Sequence, residues 1–476
     1  MKKIFDFLFK TNIKIYFLSI LSSFIGIGLN FFLARVLQAE AYGEIQYLVS
    51  LATTISNFLL FGLSSFLIRE AKNKEKNDGI INKCFSLYLT IAIFSIPIVY
   101  FILSKMSLKY NLDILMIIMI IIVSIFMGVN TIITSYYQGA GKYHISIIFE
   151  SLLPKATLLL LAIFFTIIGK LTKFQESYLI FYAVIYGITA LIFTFKLFKK
   201  IDFTFSKSEI QSIFYFFGVT ITYTLSQNLT KVLQGGLYDN KVALAIISVS
   251  LSIISIVSIF TNVINNITKP IYAKYNRENN IDSIMETYQF NTRVNCYIAI
   301  PFYIFFITQS KNFLYIFGES YTIYPNILLI LSIYSMISCL TGPNGSMLAM
   351  TGKEKWELLN GIVHLLVFLL FAYIFRQNTI YGLCLALLIG DLVVNVMKYI
   401  EVWLLFKRAP LNIKTILSIS IIFIIDFACI FFLKYISNFV LWLVIGILVG
   451  ACTIIINFII TLFRKKDFKM LLELKP

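Results

Sequence analysis

Apolar residues run through this chain in blocks of about twenty, not in alternation with polar ones. The first block, "IKIYFLSILSSFIGIGLNFFLA" (Ile13 to Ala34), sets the pattern. Each block is long enough as a helix to cross the ~30 Å hydrocarbon core of a bilayer. Read in order, they place spans at roughly 13–36, 43–68, 81–103, 112–137, 145–168, 176–198, 211–236, 242–268, 291–309, 324–350, 357–375, 379–405, 414–434 and 438–463. A membrane barrel would alternate apolar and polar residues every second position. The pattern therefore predicts an all-α integral membrane protein with about 14 transmembrane helices.

Composition agrees. Hydrophobic residues make up 59% of the 476 positions and charged ones only 13%, about half the share in a soluble domain. The loops are short, which leaves no room for a soluble domain. The longest, "KPIYAKYNRENNIDSIMETYQFNTR" (Lys269 to Arg293), is expected on the cytoplasmic side and helical in part. The net charge of +17 would suggest nucleic acid in a soluble protein. Here Lys and Arg concentrate in segments on the side of the N-terminus, such as Arg69, Lys72, Lys74 and Lys76, then Lys199, Lys200 and Lys207. That asymmetry places both termini in the cytoplasm, so the charge reads as topology and no nucleic-acid partner is expected. The basic start "MKKIFDFLFKTNIK" precedes no small-residue cleavage site, so the first block reads as an uncleaved span. The six cysteines lie in or beside apolar runs without C-x-x-C spacing and read as packing residues.

Two short strings recur six spans apart. "ARVLQ" (Ala34 to Gln38) ends span 1 and "TKVLQ" (Thr230 to Gln234) ends span 7. "QGAGKYH" follows span 4 and "AMTGKEK" follows span 10, each with a Gly-Lys pair, Gly141-Lys142 and Gly352-Lys353. The pairs predict two six-helix lobes in the same orientation, residues 1–200 and 201–408, with two additional helices and a tail in 409–476. Parallel repeats are a transporter architecture whose substrate site lies where the repeats meet.

Polar residues within the spans fall in stripes. Span 7 carries Thr220, Thr224, Gln227, Lys231 and Gln234 at steps of three and four. Span 8 carries Ser248, Ser255, Ser258, Asn262 and Asn265; span 2 carries Ser50, Thr53, Asn57 and Ser64; span 1 carries Ser19, Ser23, Gly26 and Asn30. Hydrogen bonding between helices explains any one stripe. Their occurrence in equivalent spans of both halves favours a water-filled cavity. Charges inside spans are few. Arg35 and Lys231 stand near outer ends, where they could simply snorkel. Lys155 is deeper, next to Pro154 and five positions after Glu150. Asp391, Lys398 and Glu401 occupy span 12, and Asp426 span 13. His364 reads as a packed ring and His144 as a solvated one.

Several chemistries have no support. There is no G-x-x-x-x-G-K-[ST] for nucleotide. With two histidines no triad assembles, and no acidic cluster has metal-ligand spacing. No cofactor and no enzymatic activity are expected. A membrane glycan polymerase or ligase would need a large outer loop, whereas the first outer loop is "LQAEAYGE".

"ARVLQAEAYGEIQ" resembles the A-R-x-L-G-x-x-x-Y-G element between the first two spans of bacterial polysaccharide flippases, of the multidrug/oligosaccharidyl-lipid/polysaccharide exporter superfamily. "YYQGAGKYHISIIFE" looks like that family's segment after span 4, and "MLAMTGKEKWELLNGIVHLL" like its segment around spans 10 and 11. Gln38 stands where the family often has Gly. The resemblance implies a flippase of the bacterial inner membrane. It would carry undecaprenyl-pyrophosphate-linked oligosaccharide units from the cytoplasmic to the outer leaflet, with a polysaccharide polymerase as a partner. On that reading Arg35, Lys155 and Lys231 meet the pyrophosphate, and Asn30, Asn57, Thr224, Gln227 and Asn262 serve the sugars. Glu150 and Asp391 are the candidate coupling carboxylates. A multidrug cation antiporter of the same superfamily is the main alternative, although spans 1 and 7 lack its acidic residue. The polymerase or ligase is the second.

Overall fold

The computed structural model describes residues 13–71, 77–110, 113–236, 238, 240–436 and 438–462. The chain termini and Lys72, Lys74 and Lys76 lie outside the described residues. Helices α1 (Ile13–Val36), α2 (Ala39–Leu60), α3 (Leu63–Glu70), α4 (Asn77–Tyr110) and α5 (Ile114–Gly139) come first. α6 (Tyr143–Ile147) continues through a π-helical turn, Ile148–Leu152, into α7 (Leu153–Ile167). Then follow α8 (Leu171–Leu197), α9 (Lys207–Gly236), α10 (Lys241–Arg277) and α11 (Ile281–Thr308). The last are α12 (Ser310–Tyr315), α13 (Asn326–Thr341), α14 (Asn344–Met350), α15 (Glu354–Ile374), α16 (Gly382–Phe406), α17 (Ile413–Phe431) and α18 (Phe439–Leu462). Among the described residues there are no strands.

Every apolar segment found in the sequence falls on a helix. Eleven helices among the described residues are long and apolar enough to cross a membrane, or twelve with the bent pair α2–α3. α9 and α11 are not among them. Their Thr, Asn, Gln, Lys and Arg residues lower the hydropathy of helices that are otherwise long enough.

Packing divides the chain into two compact units, 13–248 and, among the described residues, 249–462. In the first, α9 lies along α2 and α3. The α2–α3 bend of 56° falls at Phe61 and Gly62, both with positive φ, 47° and 76°. Gly62 is needed there twice over. It tolerates the left-handed backbone, and a Cβ on it would stand 2.4 Å from the Phe217 nitrogen of α9. Phe61 stacks on Phe217, ring centroids 3.9 Å apart. The "AYGE" of the opening motif has a similar cause: a Cβ on Gly43 would meet the Lys241 carbonyl at 2.0 Å. The expected first outer loop is almost absent, because α1 ends at Val36 and α2 begins at Ala39.

In the second unit the expected long loop is nearly all helix. α10 runs to Arg277, and Asn280 caps α11 by accepting from the Ser283 N–H at 3.0 Å. α10 and α11 are joined by a buried amide ladder. Asn291 Nδ2 donates to Thr268 Oγ1 at 2.6 Å, and Asn295 Nδ2 donates to Asn291 Oδ1 at 2.6 Å and to Asn265 Oδ1 at 3.2 Å. Asn265, read as part of a cavity stripe, is thus spent on helix packing.

Candidate functional site

The site grows from a proline. Pro154 stands in the first turn of α7 and carries no N–H, so the carbonyl of Glu150, four residues back, has no partner in a regular helix. The chain answers with the π turn Ile148–Leu152, a feature frequent at functional sites. Asn130 of α5 holds the turn from one side, donating Nδ2 to the Phe149 carbonyl at 3.1 Å. From the other side, the hydroxyls of Ser22 in α1 and Ser151 share a hydrogen bond of 2.7 Å.

That pair seats α7 against α1, and Lys155 crosses the contact at Gly26. A Cβ on Gly26 would lie 3.1 Å from Lys155 Cδ and 3.2 Å from its Nζ. The ammonium therefore rests on the serine and glycine stripe of α1. Lys155 is half-buried and makes no hydrogen bond or ion pair among the described residues. Glu150 is exposed and accepts from Ser146 Oγ at 3.3 Å. A half-buried ammonium with three donors, on which Glu150 acts only through space without an ion pair, is suited to an anion.

The other expected residues are spread more widely. Asn30 accepts from Tyr42 Oη at 3.2 Å and from Gln46 Nε2 at 3.4 Å, tying α1 to α2. Arg35 is exposed in the last turn of α1. Asn57 is half-buried, one turn before the α2–α3 bend, and Thr224 is buried in α9. Lys231 is half-buried in α9 with no hydrogen bond or ion pair among the described residues, and Asn262 of α10 is exposed. The Gln227 side chain lies outside the described residues. Among the described residues no hydrogen bond or shared partner links Arg35 or Lys231 to Lys155.

Asp391 sits in a polar knot. Its Oδ2 accepts from Ser338 Oγ at 3.0 Å and Asn395 Nδ2 at 2.8 Å, while Asn395 Oδ1 accepts from Thr341 Oγ1 at 2.7 Å. Lys398, of the same helix, donates to Glu357 Oε1 of α15 at 2.7 Å. Glu401 accepts from Asn360 at 2.7 Å.

Sequence reasoning missed Glu357, Arg293 and two of the ladder asparagines, Asn291 and Asn295. Arg293, counted with a loop, is buried and donates to Thr415 Oγ1 of α17 at 3.0 Å. The i, i+4 spacing of Asn291 and Asn295, ahead of an apolar run, was the available signal.

This helical arrangement is a fold that solved transporters of the MOP superfamily share. It superposes on a structure titled "Lipid II flippase MurJ, inward closed conformation" with a TM-score of 0.67 and 15% identity, over 95% of this chain and 100% of that one. The inward-facing conformation of a multidrug resistance MATE family transporter gives 0.62 at 14% identity, over 82% and 94%. A MOP superfamily transporter from Pyrococcus furiosus gives 0.56 at 16%, over 83% and 95%. The chain belongs to a polysaccharide biosynthesis protein family, whose profile matches residues 32–324, more than half its length. No curated protein matches the sequence.

Proposed function

We propose that this protein is a flippase that moves undecaprenyl-pyrophosphate-linked oligosaccharide units from the cytoplasmic to the outer leaflet by alternating access. The observation that carries the reading is Lys155. It is an ammonium within an apolar helix, laid on the polar face of α1 at Gly26 with no carboxylate bonded to it. A charge so placed is expensive unless it has work to do, and a pyrophosphate crossing the bilayer needs such a counter-charge. Membership of the polysaccharide biosynthesis family supports a glycan cargo. The fold shared with a protein titled a lipid II flippase supports a lipid-linked one.

Arg35 and Lys231 then meet the phosphates away from Lys155, and Asn30, Asn57, Thr224, Gln227 and Asn262 hydrogen-bond sugar hydroxyls. Glu150 and Asp391 take the coupling role. The halves at 1–200 and 201–408, with 409–476 outside the repeat, belong to this proposal. So do the bacterial inner membrane, the cytoplasmic termini and a polymerase that consumes the product.

A cation antiporter fits less well. α1 contains no acidic residue, and the acid in α9 is Glu209 of its first turn. The test is deletion of the gene in its host. Lipid-linked oligosaccharide should accumulate in the cytoplasmic leaflet and surface glycan should disappear. Unchanged surface glycan, with greater sensitivity to cationic drugs, would reject the flippase in favour of the antiporter.

A further inference from the structure

Pro301 stands inside α11, so the carbonyl of Tyr297, four residues earlier, receives no helical N–H. Asn457 of α18 supplies the missing donor, with Nδ2 3.1 Å from Tyr297 O. The same nitrogen lies 3.1 Å from Asp426 Oδ2 of α17. Asp426 is 0% exposed, and its Oδ1 is buried with no hydrogen-bond partner among the described residues. One turn to either side, Ile422 and Ile430 pack with Cys296, Ile300, Ile304 and Trp442 in a single apolar cluster.

We propose that Asp426 is a proton-binding site, framed by Asn457 and the Tyr297 carbonyl, that latches the proline break of α11. A bare carboxylate here would hold a full charge against one amide donor, which is a heavy penalty. Among the described residues no cation pairs with it. On α11, Arg293 is bonded to Thr415. Lys434, beyond α17, lies over the rings of Phe431 and Tyr435. Lys414 stands at the opposite end of α17, and the described part of α18 has no charged residue. Among titratable groups, the Cys296 thiol in the cluster donates to Cys339 O at 3.6 Å. Asn457 directs its N–H, not its oxygen, toward both the carboxyl and the Tyr297 carbonyl, an orientation that a cation bound between them would oppose. A proton from water on Oδ1 removes the charge and leaves Oδ2 free to accept from Asn457. Return of that proton to water strengthens the pull of Asp426 on the amide, draws it from the Tyr297 carbonyl and loosens the break. The site lies on helices outside the proposed phosphate path and stands independently of the flippase reading.

The test is an infrared difference spectrum of the purified full-length protein in lipid against Asp426→Asn. Near neutral pH, the wild type should show a carboxylic-acid carbonyl band that the variant lacks. The variant should keep the wild-type melting temperature, because asparagine matches the neutral acid in size and charge. Loss of carboxylate bands instead would overturn the proposal. Should Asp426→Asn fail to fold, aspartate carbonyl-labelled wild type and Asp391→Asn decide. A protonated aspartate that survives loss of Asp391 supports the site, and only ionised aspartates overturn it. Stabilisation by sodium over choline at fixed ionic strength, lost in Asp426→Asn, would place a metal ion there and also overturn it.

Discussion

Lys155 Nζ lies 3.2 Å from where a Cβ on Gly26 would stand, so the space for the ammonium is made by a missing methyl group on another helix. The pairing needs both the π turn that aims α7 and the Ser22–Ser151 bond that seats it.

Gly26→Ala should be mild and Gly26→Leu severe. The alanine methyl meets the flexible end of the lysine, which can shift at a rotamer cost of about 0.5–1.5 kcal/mol, or roughly a two- to tenfold loss of flipping. The leucine evicts the lysine. Flipping rates at equal protein abundance check this, and equal rates for both variants would show that the lysine needs no such seat.

Pro154→Ala should stabilise the protein and impair it. An N–H at position 154 can bond the Glu150 carbonyl and convert the π turn to α-helix, which turns Lys155 by about 100° relative to α6. A raised melting temperature with reduced flipping is expected. Unchanged flipping would mean that the lysine's direction is immaterial.

Two carboxylates of the second unit, Glu357 and Asp391, should separate by phenotype. Glu357→Gln takes the partner from Lys398 in a pair whose side chains are 30% and 17% exposed, and should lower the melting temperature by a few degrees, since such a pair falls between the about 3–5 kcal/mol lost on breaking a buried one and the about 0–1 kcal/mol of a surface one. Asp391→Asn keeps a hydrogen-bonding group toward Ser338 and should leave stability close to wild type while abolishing the response of flipping to an imposed ion gradient. Thermal melts and gradient-driven flipping in vesicles measure both. A gradient response intact in Asp391→Asn removes Asp391 from coupling.

Asn291→Leu should cost about 1–3 kcal/mol, because Thr268 Oγ1 loses its donor and Asn295 Nδ2 keeps only Asn265 as an acceptor. Chemical denaturation in detergent reads the loss. A variant as stable as wild type would show the ladder to be dispensable.

The helices were legible because a twenty-residue apolar block has few alternatives in lipid. Where the sequence was hardest to read, at α11, Asn291, Arg293 and Asn295 interrupt the hydropathy although they are buried. Such residues satisfy one another across helices, which a one-dimensional pattern does not show. Lys155 stood out as a charge in an apolar run. Its seat did not, because Ser22 and Ser151, which bring the two helices together, are 129 positions apart. The stripe of span 8 illustrates the converse. Its spacing was real, yet Asn265 bonds Asn295 while Asn262 is exposed, and spacing alone could not tell the two fates apart.

The most direct measurement is flipping of a fluorescent undecaprenyl-pyrophosphate oligosaccharide by the purified protein in vesicles, with Lys155→Gln compared with Lys155→Arg. A charged hydrogen bond is worth about 1.5–3 kcal/mol, so Lys155→Gln should slow flipping roughly ten- to a hundredfold at wild-type stability. Lys155→Arg keeps the charge and should retain most of the rate. Wild-type flipping by Lys155→Gln would contradict the assignment of the lysine to the phosphate, and a wild type that moves no lipid-linked oligosaccharide would contradict the flippase itself.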